Sequence, residues 1–70
     1  PALDAAEVLA RLQRVREGDK RLTQKAIAEE SGVDQSSLSR FITGARALGS
    51  DSLEALVHWL NEYERKVKPR

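Results

Sequence analysis

Apolar residues recur along much of this chain at intervals of three and four positions, which is the spacing of one face of an α-helix. The first series consists of Leu3, Ala6, Leu9 or Val8, Leu12 and Val15. It predicts a helix over about residues 4–17, because Gly18 is a natural stop just beyond the last turn. A first amphipathic helix is therefore expected at the start of the chain.

Two short helices are predicted in the middle of the chain. The Thr23 hydroxyl can cap a helix over about residues 24–31, and Asp34 can cap a second over about residues 35–43. Gly32 between them suits a left-handed turn, and Gly44 ends the second helix. The two helices are thus expected to be joined by a tight turn.

A longer helix is predicted over about residues 51–66. Its inward stripe consists of Leu53, Leu56, Val57 and Leu60. Ser50 or Asp51 is expected to cap it, and Pro69 lies beyond its end. With the low aromatic content of 4%, the pattern predicts a single all-α domain over residues 1–70.

The short helices carry side chains of the sizes that a helix-turn-helix needs at fixed offsets from Gln24. Positions four, five, nine, ten, fifteen and eighteen are Ile27, Ala28, Gly32, Val33, Leu38 and Phe41. Ser31 at the eighth position departs from the usual apolar residue, so it either faces the core rim or bonds back to a helix carbonyl. Residues 24–43 are therefore predicted to form a helix-turn-helix.

Residues 22–48 resemble the repressor and Cro helix-turn-helix family, of the XRE and lambda-repressor type. The resemblance rests on Gln24, Ala28, Gly32, Gln35, Ser36, Gly44, Ala47, Leu48 and the spacing of Leu53 and Leu60. It implies a bundle of four to five helices, an operator made of two half-sites, a homodimer, and a phage or bacterial regulator. It also implies that Gln24 binds a phosphate and braces Gln35.

The outer face of the second short helix carries the predicted base contacts, which are Gln35, Ser36, Ser39 and Arg40. A glutamine amide can donate to and accept from adenine in the major groove, and an arginine can bind guanine through two hydrogen bonds. The resemblance implies a base contact for Ser36. Arg40 could contact a phosphate instead.

The predicted phosphate contacts are Gln24, Ser37, Thr43 and Arg46. Thr43 stands where the family often has an asparagine that binds phosphate, and Arg46 follows in the loop after Gly44. Ser37 and Ser39 could also be solvated surface without any contact to DNA.

The net charge of the chain is only +1, so charge supports nucleic-acid binding only through the uneven placement of the charged residues. Residues 35–48 include two arginines and no acid, and residues 65–70 include four basic side chains. Those terminal cations are either an accessory phosphate contact or a solvated end.

The longest apolar stretch, residues 56–60, is far shorter than a membrane span, and the chain contains no cysteine. A cytoplasmic protein is expected.

The sequence offers no arrangement typical of catalysis or of metal binding. His58 is the only histidine, so no second imidazole or thiolate can share a metal with it. Glu29 and Glu30 are adjacent on a helix and point about 100° apart, which is poor geometry for paired acid and base work. A non-enzyme without cofactor is therefore expected.

Trp59, Tyr63 and Val67 form a second apolar stripe on the last helix. One inward stripe already supplies a core contact, so the second suggests a homodimer in which these helices meet. The alternative is that Trp59 and Tyr63 fold back over the first helix of their own chain.

These features predict a transcription regulator, acting as a repressor, that binds a palindromic operator as a homodimer. Two alternatives remain open. One is an antitoxin-like autoregulator that also binds a partner protein through residues 59–67. The other is a protein-interaction module without DNA binding, which the serine-rich face at Ser36, Ser37 and Ser39 would support.

Overall fold

The computed structural model describes residues 4–67, and four α-helices make up most of that range. They are α1 (Ala5–Gly18), α2 (Gln24–Ser31), α3 (Gln35–Thr43) and α4 (Ser50–Val67). The described residues form no strand, so the predicted all-α class is confirmed. The bounds of α2 and α3 match the prediction, and those of α1 and α4 differ from it by one residue at each end. α4 runs on without a break, and the described range holds no fifth helix.

Side-chain caps begin the first three helices. The Asp4 carboxylate accepts from the Ala6 N–H at 3.0 Å, and the Thr23 hydroxyl accepts from the Ala26 N–H at 3.1 Å. Asp34 accepts from the Ser37 N–H at 3.0 Å. The caps predicted at Thr23 and Asp34 are therefore confirmed.

The start of α4 differs from the prediction. The Leu53 N–H donates to the Gly49 carbonyl at 2.9 Å, which places Gly49 at the N-cap position. Ser50 is already the first helical residue, so neither Ser50 nor Asp51 is the cap. The prediction was wrong because the helix begins one residue earlier than the polar side chains suggest, and glycine also serves at this position.

A single apolar core joins all four helices. Its fully buried members are Leu12 from α1, Ile27 from α2, Leu38 from α3, and Leu56 and Leu60 from α4. Val8, not Leu9, is the buried residue of the pair left open on α1. Leu48 is also buried and holds the loop between α3 and α4 against the core.

Polar bonds around the rim of the core fix α4 relative to α1 and α2. The Arg11 guanidinium donates to Asn61 and Glu64, both at 3.0 Å. The Tyr63 hydroxyl donates to Asp19 at 3.0 Å, just beyond the end of α1. These bonds tie the second half of α4 to the middle and to the C-terminal end of α1.

Trp59 lies in the core of its own chain. Its side chain is 6% exposed, and its indole N–H donates to Glu30 of α2 at 2.9 Å. Tyr63 is half-buried and stacks on it, with ring centroids 5.2 Å apart. The premise of a surplus apolar stripe is therefore wrong for Trp59, because α2 already covers that ring. The side chain of Val67 lies outside the described residues, and the dimer interface itself stays a prediction.

Burial raises the pKa of the Tyr63 hydroxyl, and the hydrogen bond to Asp19 and the charges of Asp19 and Glu30 raise it further. The folded chain thus resists ionisation of this phenol more than the unfolded chain does. The resulting stabilisation is complete below the unfolded pKa, near 10, and is lost as the pH rises through the folded pKa.

Tyr63→Phe should lower the free energy of unfolding at neutral pH by about 1 kcal/mol, because one hydrogen bond is lost. Urea denaturation measures this change. Above about pH 10 the wild type should lose stability more steeply than the variant, which has no phenol to ionise. Because Tyr63 is the only tyrosine, tyrosinate absorbance reports its titration directly. Parallel pH profiles for the two proteins would contradict the raised pKa.

Candidate nucleic-acid interface

The turn between α2 and α3 is built by Gly32 and its neighbours. Gly32 has φ +82°, the left-handed region that side chains rarely adopt, and its N–H donates to the Ala28 carbonyl at 2.9 Å. The Ser31 hydroxyl donates to the same carbonyl at 3.5 Å and accepts from the Val33 N–H at 3.3 Å. Ser31 therefore bonds back to the helix, which was one of its two predicted roles.

The side chains at the size-restricted positions of the helix-turn-helix are buried. They are Ile27, Ala28, Val33, Leu38 and Phe41, with exposed fractions between 0% and 5%. One side of α3 therefore packs against the rest of the protein. The opposite side is free to contact another molecule.

The exposed side of α3 carries Ser36, Arg40 and Thr43. These positions are spaced by four and three residues, so they fall within about 60° of arc on the side away from Leu38 and Phe41. Gln35 is also exposed and lies in the first turn. The outward surface of α3 is therefore a short row of hydrogen-bonding groups with one cation.

The structure separates the predicted contact residues into two groups. Ser37 and Ser39 are half-buried and lie on the flanks of α3. Thr43, predicted only as a phosphate contact, lies in the same row as Ser36 and Arg40. The helical period alone could have placed Thr43 in that row, since 36, 40 and 43 are four and three positions apart.

Backbone hydrogen bonds at the end of α3 fix the positions of the Arg40 and Arg46 backbones relative to each other. Gly44 has φ +85°, and its N–H donates to the Phe41 carbonyl at 3.2 Å. The N–H groups of Ala45 and Arg46 donate to the Arg40 carbonyl at 2.8 and 3.3 Å. This glycine-ended cap ties the backbone of Arg46 to that of Arg40. Both side chains are exposed, and neither forms an ion pair within residues 4–67.

Gln24 is half-buried at the first position of α2. The hydrogen bonds of the described residues include none between its amide and Gln35, so the bracing implied by the family resemblance stays a prediction. Residues 35–48 contain no acid, but the exposed carboxylates of Glu29 and Asp34 lie beside Gln35. A phosphate backbone would therefore meet less repulsion at the end of α3, where Arg40 and Arg46 lie, than at its first turn.

In the part of the chain that the structure describes, His, Asp and Glu side chains form no group of three or more that could hold a metal ion. None of the helices within residues 4–67 combines the length and the apolar character needed to cross a membrane.

Two short helices joined by a glycine turn, with the second presenting a polar and cationic face, define a helix-turn-helix protein of the DNA-binding class. A family model described as helix-turn-helix matches residues 12–67, most of the chain, and the chain belongs to this XRE-type family. Its members are DNA-binding transcription regulators and are typically not enzymes. No protein with a curated description and no solved structure matches the chain.

Asp34→Ala should destabilise the protein by about 1 kcal/mol, because the Ser37 N–H at the start of α3 loses its acceptor. Asp34→Asn is the matched control, since an asparagine oxygen can cap the same N–H without the charge. Urea denaturation of both variants measures the effect. Equal losses in the two variants would show that the carboxylate acts through its charge and not through the capping bond.

Proposed function

We propose that this chain is a sequence-specific transcription regulator that places α3 in the major groove of double-stranded DNA. It acts in the cytoplasm as a repressor, by occupying a palindromic operator as a homodimer. The observation that carries the proposal is the contrast between the two sides of α3. Leu38 and Phe41 are buried, whereas the other side of the helix carries hydrogen-bonding groups, an exposed arginine and no acid.

The proposed base contacts are Gln35, Ser36, Ser39 and Arg40. Gln35 at the first turn donates to and accepts from an adenine, and Arg40 binds guanine O6 and N7. Each such bidentate contact discriminates against the wrong base by about 1–3 kcal/mol. Ser39 is half-buried, so it contributes at the edge of the contact and not at its centre.

The proposed phosphate contacts are Gln24, Ser37, Thr43 and Arg46. Gln24 stands at the start of α2, where free N–H groups and the helix dipole favour an anion. Arg46 is well suited to a phosphate because its backbone is tied to the Arg40 carbonyl at 3.3 Å. These contacts would set the position of α3 on the duplex without carrying sequence information themselves.

A homodimer is proposed because one short α3 contacts only a few base pairs. Two copies related by a two-fold axis would place equivalent helices in successive major grooves, about 34 Å apart. Trp59 is not part of the proposed dimer contact, since its ring is buried within its own chain. Membership of the helix-turn-helix family supports the DNA binding on which this arrangement depends.

Binding to DNA should be sequence-selective and should weaken steeply with salt. The operator is to be selected from a random duplex library, and its affinity measured by fluorescence anisotropy across a salt series. Gln35→Ala and Arg40→Ala should each lose about 1–3 kcal/mol and relax selectivity at one base pair. Arg14→Ala is the control, because Arg14 is an exposed arginine of α1.

Weak binding without selectivity, equal in all four proteins, would contradict the assignment of α3 as the DNA-contacting helix. Loss of affinity at constant selectivity in Arg40→Ala would instead make Arg40 a phosphate contact.

The spacing of the two half-sites in the selected operator should matter if a homodimer binds. Inserting about five base pairs between them moves one half-site to the opposite side of the duplex and should abolish dimer binding, and about ten should partly restore it. Gel mobility and sedimentation of the complexes give the stoichiometry. Binding of one chain per half-site with no dependence on spacing would rule out the homodimer.

A further inference from the structure

A groove of about 800 Å³ runs between the end of α2 and one side of α4. Glu30 and Ser31 form the α2 wall, and residues from Asp51 to Lys66 form the α4 wall. None of the exposed residues of α3 lines it. We refer to it as the α2–α4 groove.

The α2–α4 groove is strongly acidic. Its carboxylates are those of Glu30, Asp51, Glu54 and Glu62, and Lys66 at one end is its only ammonium group. Within residues 4–67, the ion pairs include just one with these acids, a loose contact of 3.7 Å between Glu62 and Arg65 on the surface. Such exposed pairs contribute little, so most of the negative charge is uncompensated.

The acids of α4 lie on one side of the helix. Asp51, Glu54 and Glu62 stand in one line with His58, at intervals of three and four residues. At roughly 1.5 Å of rise per residue, Asp51 and Glu54 are about 4.5 Å apart along the helix axis, and Glu62 is about 12 Å beyond Glu54, with His58 between them. A ligand with cations about two helical turns apart would match the carboxylates at the two ends of this line.

The floor of the groove is apolar and held in place. Ala55 and Tyr63 are half-buried there, and the Tyr63 ring stacks on Trp59. The indole of Trp59 is in turn held by its bond to Glu30 at 2.9 Å. An aliphatic side chain of a ligand could cover this floor at little cost in ordering the protein.

Charge decides between the possible occupants of the α2–α4 groove. DNA is excluded because carboxylates repel phosphates. A second copy facing the same groove would double the uncompensated negative charge. A basic protein segment would neutralise it, and charge complementarity of this kind is what sets partner choice at interfaces.

We propose that the α2–α4 groove binds a cationic amphipathic segment of a partner protein. Its lysine or arginine side chains meet Asp51 and Glu54 at one end of the line and Glu62 about two helical turns away, and an aliphatic side chain covers Ala55 and Tyr63. This function goes beyond the proposed DNA binding. Because α3 takes no part in the groove, the partner and the operator can be bound at the same time.

The test uses the full chain and a labelled helical peptide with arginines at every fourth position and leucines on the adjoining face. Binding is measured by anisotropy at physiological salt, and Trp59 fluorescence reports the groove because Trp59 is the only tryptophan. The double variant Glu54→Lys and Glu62→Lys should weaken binding roughly tenfold or more, since like charges then face the peptide. Glu7→Lys with Glu17→Lys is the matched control on exposed positions of α1, and it should bind the peptide as the wild type does.

Equal loss in both double variants, or peptide binding without any change in Trp59 fluorescence, would overturn the proposal. So would sedimentation showing that the groove variants alter self-association, which would make a second copy the occupant. Affinity for the selected operator is measured in parallel and should be the same in the two double variants. Peptide binding without operator binding would refute the proposed function and leave the groove assignment standing. Operator binding without peptide binding would refute the groove assignment and leave the proposed function standing.

Discussion

Burial of aliphatic side chains from all four helices in one core is the interaction on which the rest of the molecule depends. α2 and α3 have eight and nine residues, and isolated helices of that length are marginal in water. Ile27 and Leu38 are fully buried against Leu12 and Leu56, and each such side chain contributes about 1.5–3 kcal/mol. The helix-turn-helix therefore exists as a surface of the core, with α1 and α4 as its support.

Polar groups around that core determine where charge can lie on the outside. The bonds of Arg11 and Tyr63 hold the second half of α4 against α1, and the bond between Trp59 and Glu30 holds it against α2. One side of the molecule then presents α3, whose own residues include no acid, and another presents the acidic wall of α4. A net charge of +1 conceals this separation, because opposite charges cancel in the sum and not in space.

Local signals explain which parts of the structure were predictable. The caps at Thr23 and Asp34, the turn at Gly32 and the apolar spacing all act within a few residues, and they define α2 and α3 to the residue. Trp59 is held against α2 by its bond to Glu30, which is distant in sequence. The apolar spacing within α4 could not show this contact, so the ring was predicted to be left over for a partner. The half-buried state of Ser37 and Ser39 and the α2–α4 groove likewise depend on how separate helices pack. The contacts with DNA assigned to α3 stay predictions.

The cap at the end of α3 has a consequence for how such a domain can diversify. One carbonyl, that of Arg40, accepts from Ala45, Arg46 and the Thr43 hydroxyl, so the last turn can neither lengthen nor unwind without breaking several bonds together. The backbone of α3 is thus independent of the side chains at 36 and 40, which are exposed and have no role in the core, whereas the Thr43 hydroxyl is part of the cap itself. Substitutions there can accumulate without cost to folding, so that relatives with one scaffold could acquire different operators.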